Sequence, residues 1–200
     1  MSMIDKSFHL CISSFLIFAE LLGLLEVEEH PCRMAGPLRR AAVILSGCGF
    51  RDGSEIFESV FLLTHLNREG AETHVFAPDA PQAAVINHLT GDVMDSPRNQ
   101  LLEAARIARG QIQPLSNLKP DEFDAVLLPG GFGAATNLSN FASNGSDMEV
   151  SQPLKNLLLE FKQQGKPLGF CCIAPVIAAK LFPKWYGILI LQYKGSSDSR

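Results

Sequence analysis

From residue 41 onward, apolar and polar positions fall into two alternating periods. Ala41-Ala-Val-Ile-Leu-Ser46 is an unbroken apolar run that stops at glycine, the pattern of a parallel strand covered on both faces. A turn follows over residues 47–53. Asp52 or Ser54 is placed to cap a helix running to about Gly70, with Ile56, Val60 and Leu63 as its apolar stripe. Gly70 suits the residue just past a helix end. Residues 72–77 read as a second strand closed by Pro78-Asp79. Residues 97–108 read as a helix with Leu101, Leu102, Ala105 and Ala108 on its apolar side. Residues 123–128 form a third strand before Pro129-Gly-Gly131. A helix over 154–164 ends at Gly165, and a fourth strand over 167–170 turns at Cys171-Cys172 into a short helix over 175–180.

Strands alternating with helices predict an α/β fold, an open parallel sheet with helices on both faces. Such sheets carry their chemistry at the C-terminal ends of the strands. That rule selects three segments: 47–58, 130–134 and 171–174.

The first forty residues follow a different pattern. Phe8 to Leu25 is largely apolar but includes Glu20, and Asp5 sits beside Lys6 ahead of it. It lacks the positive start of a secretory signal and the Arg-rich, acid-poor character of a mitochondrial presequence. Glu20 also weighs against a membrane span, so no stable membrane insertion is expected. The segment reads as a leader or N-terminal extension with a linker over residues 31–37, ahead of a domain over 41–180 and a divergent tail over 181–200.

Composition narrows the function classes. The chain has 200 residues, 46% hydrophobic and 19% charged, with a formal net charge of −4. That suits a single domain with a real core. No Lys/Arg-rich run goes beyond Arg39-Arg40, which excludes nucleic acid as an expected partner. Cys11, Cys32, Cys48, Cys171 and Cys172 are odd in number and irregular in spacing, without a CxxC. Neither a disulfide framework nor a zinc site is expected, and a reducing compartment fits best. The sequons at Asn137 and Asn144 then read as chance matches. No metal or other cofactor is called for.

Three features could carry chemistry. Cys171-Cys172 occupies a sharp strand-to-helix turn, where a nucleophile elbow would sit. With Cys171 at the apex the residues two places away are Gly169 and Ile173; with Cys172 they are Phe170 and Ala174. Sterics leave both registers open. The following helix N-terminus would favour a thiolate at either. The alternative is a pair of small buried hydrophobes. Pro129-Gly-Gly-Phe-Gly133 leaves a strand with backbone amides available for an oxyanion hole, or merely reverses the chain. Glu55 and Glu58 share a helix face, where a carboxyl near a thiolate would share its proton. Two solvated acids in a first helical turn are the simpler reading.

Taken jointly, the motifs resemble ElbB-type proteins of the PfpI-like, class I glutamine amidotransferase-like superfamily. The resemblance rests on Ser46-Gly-Cys-Gly-Phe-Arg-Asp-Gly-Ser-Glu-Ile-Phe-Glu58, Val85-Ile-Asn-His-Leu-Thr-Gly91 and Glu103-Ala-Ala-Arg-Ile-Ala-Arg-Gly110. It continues in Leu128-Pro-Gly-Gly-Phe-Gly-Ala134, Asn137-Leu-Ser-Asn-Phe-Ala142 and Gly165-Lys-Pro-Leu-Gly-Phe-Cys-Cys-Ile-Ala-Pro175. The Cys-Cys-Ile-Ala-Pro form is similar to the animal mitochondrial branch.

The resemblance implies a flavodoxin-like sheet and Cys172 as nucleophile, with Cys171 its neighbour. It implies Glu58 as proton partner, Glu55 as the upstream acid, and Gly131 and Ile173 as oxyanion donors. His88 becomes a candidate site-lining residue. It further implies glyoxalase- or deglycase-like action on small reactive aldehydes or their adducts, a mitochondrial location with cytoplasm as the alternative, no cofactor, and a homodimer.

Departures from the family pattern shape the expectation. Ile173 stands where related proteases have histidine, and Phe57 where ElbB-type proteins usually do. All five histidines precede the elbow, so a glutaminase triad is not available. ElbB-type proteins continue beyond the elbow helix, so their C-terminal strands are expected to be replaced or missing here, with Ile188-Leu-Ile-Leu191 as one substitute strand. A catalytically degenerate domain with a structural or interaction role is therefore the alternative function. A dinucleotide-binding module ranks third, on Gly47, Gly49 and Gly53 after a strand.

Overall fold

The computed structural model describes residues 39–183. Expectations for the leader, the divergent tail and a strand at 188–191 lie outside the described residues, apart from Arg39, Arg40 and the first residues of the tail.

Five parallel strands form one sheet among the described residues: β1 (Arg40–Ile44), β2 (Glu72–Ala77), β3 (Gln113–Pro114), β4 (Ala125–Leu128) and β5 (Leu168–Phe170). Their spatial order is β3-β2-β1-β4-β5. The helices are α1 (Ile56–Arg68), α2 (Gln100–Ile107), α3 (Phe132–Thr136), α4 (Phe141–Asn144), α5 (Gln152–Gln163) and α6 (Pro175–Leu181). This is the open parallel sheet read from the alternating pattern and the flavodoxin-like arrangement that the resemblance implies.

The pleat sorts β1 onto two cores. Ala41, Val43 and Leu45 join Leu62 and Leu66 of α1 and Ala104 of α2 on one face. Ala42 and Ile44 join Leu154, Leu158 and Phe161 of α5, and Ile177 and Ala178 of α6, on the other. Both faces are covered, which is why β1 and β4 read as continuous apolar runs. Each fully buried Leu or Phe contributes roughly 1.5–3 kcal/mol. β1 pairs with β2 on one side and β4 on the other, with Val43 opposite Val75 and Leu127. The chain leaves β1 in one direction and later β4 in the other, so the strand order reverses between them. The crevice beyond their C-terminal ends is where such folds bind ligands.

Four expectations need correction. Glu55, rather than Asp52 or Ser54, caps α1: its carboxylate accepts the amide of Glu58 at 2.7 Å. Asp52 and Ser54 are buried and committed elsewhere, Ser54 Oγ accepting from Ser46 N at 2.8 Å. The buried stripe of α1 is Ser59, Leu62 and Leu66, while Ile56 and Val60 are exposed. Periodicity finds the helix, but several rotations of this apolar helix offer a plausible stripe, and docking on β1 selects one. In α2, Gln100 and Ala104 are buried and Leu102 faces solvent. Finally, β3, α3 and α4 were not anticipated. They span two, five and four residues, too short for a period to register.

Candidate active site

The elbow forms because β5 runs straight into a turn. Cys171 N donates to Leu128 O at 3.0 Å, extending the ladder to β4 by one residue. Ala174 N then donates to Cys171 O at 2.9 Å, closing the bend over Cys172 and Ile173. Cys172 has φ 54°, a left-handed conformation that a side-chain-bearing residue adopts only when its surroundings enforce it. The apex is therefore Cys172. Cys171 sits half-buried below it.

Glu58 arrives from the first turn of α1. Its Oε2 accepts the amide of Gly130 at 2.7 Å. Gly130 is pinched: a Cβ there would lie 2.5 Å from Cys172 Cβ and 2.6 Å from Glu58 Oε2. Cys172 and Glu58 thus converge on one backbone point, and thiol and carboxyl interact directly. The amides of Ile173 and Gly131 are turned toward the sulfur.

Electrostatics follow from this convergence. Desolvation pushes the Cys172 thiol up to about 12; the Glu58 charge and its hydrogen bond add to this, and the two amides pull the other way. The Glu58 carboxyl is also raised, first by desolvation, with a smaller contribution from Glu55. The Gly130 amide and the thiol counter that rise. Cys172 is exposed as a residue, so a reagent can reach it, while the protein packed around the sulfur penalises the thiolate. The thiolate expected from the helix N-terminus is thus outweighed by burial and by Glu58. The pair titrates as a unit that holds one proton between its two ionisations.

The glycine loop after β4 is locked to the β1–α1 loop. Glu55 N donates to Gly130 O at 2.9 Å, Phe132 N to Phe50 O at 2.8 Å and Gly133 N to Gly53 O at 2.9 Å. Gly131 has φ 94°, and a Cβ on it would collide with Gly53 O and Glu55 N. The glycines at 47 and 53 pack on each other: a Cβ at Gly53 would meet Gly47 and the amide of Cys48. Their close packing folds the β1–α1 loop back on itself.

Two other residues singled out in the sequence sit differently. Glu55 spends its side chain on the α1 cap and reaches Glu58 through charge. His88 contacts Arg51, Ile86, Phe50 and Asp52, and none of its contacts is to Cys172 or Glu58. Sequence reasoning overlooked Asn137 and Gln82. Asn137 Nδ2 donates to Ser46 Oγ and to Asp52 O, each at 3.0 Å, and its Oδ1 accepts from Ala83 N at 2.8 Å. Gln82 Nε2 donates to Asp52 O at 3.1 Å. Asn137 lay in plain view as a sequon, and its amide is used internally.

Among the described residues, no group of three or more His, Cys, Asp or Glu side chains could hold a metal ion. No helix among them is long and apolar enough to cross a membrane.

No family model matches the chain. It is 53% identical over 146 residues to the human glutamine amidotransferase-like class 1 domain-containing protein 3, mitochondrial, covering 72% of this chain and 54% of that protein. It is 52% identical over 146 residues to the rat ES1 protein homolog, mitochondrial, covering 72% and 55% respectively. The chain spans about half the length of these curated relatives. Their names accord with the expected mitochondrial location. Among solved structures, it superposes on an isoprenoid biosynthesis protein with amidotransferase-like domain from Ehrlichia chaffeensis. The TM-score is 0.68 at 39% identity, covering 71% of this chain and 67% of that one. With the fold, the ordered motifs and these relatives in agreement, the chain belongs to the class I glutamine amidotransferase-like family.

Proposed function

We propose that this mitochondrial chain is a cysteine-dependent protein of glyoxalase or deglycase type, acting on small reactive aldehydes or their adducts. The observation that supports this most is the convergence of Cys172 and Glu58 on Gly130, with the Gly131 and Ile173 amides turned to the sulfur.

The chemistry follows from the shared proton. Glu58, as carboxylate, takes the proton of the Cys172 thiol. The thiolate attacks the aldehyde carbon, forming a C–S bond while the C=O π bond breaks onto oxygen. The Gly131 and Ile173 amides are near enough to the sulfur to receive that oxyanion, and Glu58 returns the proton to it. The product of this step is a hemithioacetal with every atom accounted for. Holding the proton on the sulfur at rest keeps the nucleophile quiet until a carbonyl arrives.

Methylglyoxal consumption by the purified chain, compared with Cys172→Ala, tests the reading. Activity should vanish in the variant; unchanged turnover would reject the assignment.

One observation favours a second reading, a catalytically degenerate domain with a structural or interaction role. A thiol pushed up to about 12 is very little ionised at neutral pH. Ile173 and Phe57 also depart from the family's histidines. Under this reading neither the wild-type chain nor the variant consumes methylglyoxal.

A further inference from the structure

Asp52 lies in the β1–α1 loop with 2% of its surface exposed. Its Oδ2 accepts the Ile86 amide at 2.7 Å, and its backbone oxygen accepts from Gln82 and Asn137. Its Oδ1 is buried and has no hydrogen-bond partner among the described residues. A buried carboxylate oxygen without a donor forfeits its hydration with nothing in return.

The nearest donor in waiting is His88. Its Nε2 lies 3.8 Å from Asp52 Oδ1. Its Nδ1 is 3.0 Å from Ile86 O, an acceptor, and its Nε2 is 3.3 Å from the amide of Arg51. The ring stands edge-on to Phe50 at 5.4 Å between centroids. It also fills the space over Gly49, where a Cβ would collide with Nε2. His88 therefore covers the loop over residues 49–52, with Nε2 accepting the Arg51 amide; a proton taken up on Nε2 in exchange for that hydrogen bond would supply the partner that Asp52 lacks. The charged groups at this point are Asp52 and Arg51, both from the β1–α1 loop.

That loop is stitched to the glycine turn after β4 through Phe50 O, Gly53 O and Glu55 N. Any slack in it is felt at Gly130, Gly131 and Gly133, the segment that meets Glu58 and Cys172. We propose that His88 is a positioning residue for the Cys172–Glu58 site, acting through Asp52. This rests on the thiol–carboxyl reading above and extends it to a residue that does not touch the site.

The test is the pH profile of Cys172 alkylation by iodoacetamide, read by mass spectrometry so that Cys48 and Cys171 are scored separately. His88→Phe keeps a ring against Phe50 and removes both nitrogens. It should move the Cys172 midpoint down by about half a unit or more, as the grip of Glu58 on the thiol loosens. It should also speed hydrogen exchange in the peptide spanning residues 129–137. His88→Gln, whose amide can donate to Asp52, should restore both. Asp52→Asn can donate to His88 Nε2 while still accepting from Ile86, so its profile should match wild type; a displaced profile overturns the proposal. A wild-type profile and exchange rate in His88→Phe also overturn it. Glu58→Gln separates the two ideas. If it shifts the midpoint and His88→Phe does not, only the role of His88 falls. If neither shifts it, the thiol–carboxyl reading falls first.

Discussion

Glu58 and Cys172 both close on Gly130, the carboxylate through a 2.7 Å hydrogen bond to its amide and the cysteine Cβ in the space a side chain there would need. The two side chains come from segments more than a hundred residues apart, yet they meet beside one glycine. Their protonation states are coupled for the same reason.

Removing the charge of Glu58 should loosen the proton on sulfur. Burial raises the Cys172 thiol first, and the Glu58 charge is the next contributor. Glu58→Gln leaves the burial and lifts the charge, so the thiol midpoint falls. Cys172 alkylation at pH 8 should then run faster than in wild type. Under the proposed function aldehyde turnover should fall, because no carboxylate remains to carry the proton.

The same substitution predicts a pH-dependent stability change. The folded carboxyl of Glu58 is raised above its ordinary value. Its contribution is fully present below the unfolded value of about 4.5 and is lost as pH rises through the folded value. At pH 7 the wild type carries a penalised buried charge that Glu58→Gln lacks. Thermal melts should show the variant above wild type at neutral pH, with the gap closing toward pH 4.5. A constant gap would contradict the buried charge.

Gly130→Ala should damage fold and site together. The added methyl meets Cys172 and Glu58, with Cys171 O at 3.1 Å behind them. Overpacking of this kind costs about 1–3 kcal/mol. Urea titration should register that loss, and the Cys172 alkylation midpoint should drop as in Glu58→Gln.

The orientation of α1 can be checked without touching the site. Leu62 is 1% exposed and Phe57 69%. Leu62→Ala should cost about 2–5 kcal/mol, and Phe57→Ser no more than about 0.5 kcal/mol. Reversed costs would contradict the docking of α1 through Leu62.

That contrast marks where the sequence stops being legible. Residues 72–77 stand out because a short stretch with Thr73, Val75 and Phe76 lies between Gly70 and Pro78, and the observed strand has those bounds. The elbow could be located, but its apex could not: Gly169 and Ala174 are both small, and only the left-handed backbone at Cys172 separates the two registers. Glu58 could be picked out only through the resemblance, since counting along a helix says nothing about a loop more than seventy residues away. Asn137, Gln82 and the contact between His88 and Asp52 were invisible for a simpler reason. Single polar residues in loops have no period, and their value lies in backbone groups supplied by distant segments.

The glycine turn has a further consequence for how this centre could be remodelled. At Gly130, Gly131 and Gly133 the space of a side chain is already taken by neighbouring atoms, mostly backbone. The floor beneath the sulfur is built from main chain, which mutation cannot recolour. Variation at this centre therefore falls to side chains, and Phe50, Phe57 and Phe132 are large exposed ones on the β1–α1 loop, α1 and α3.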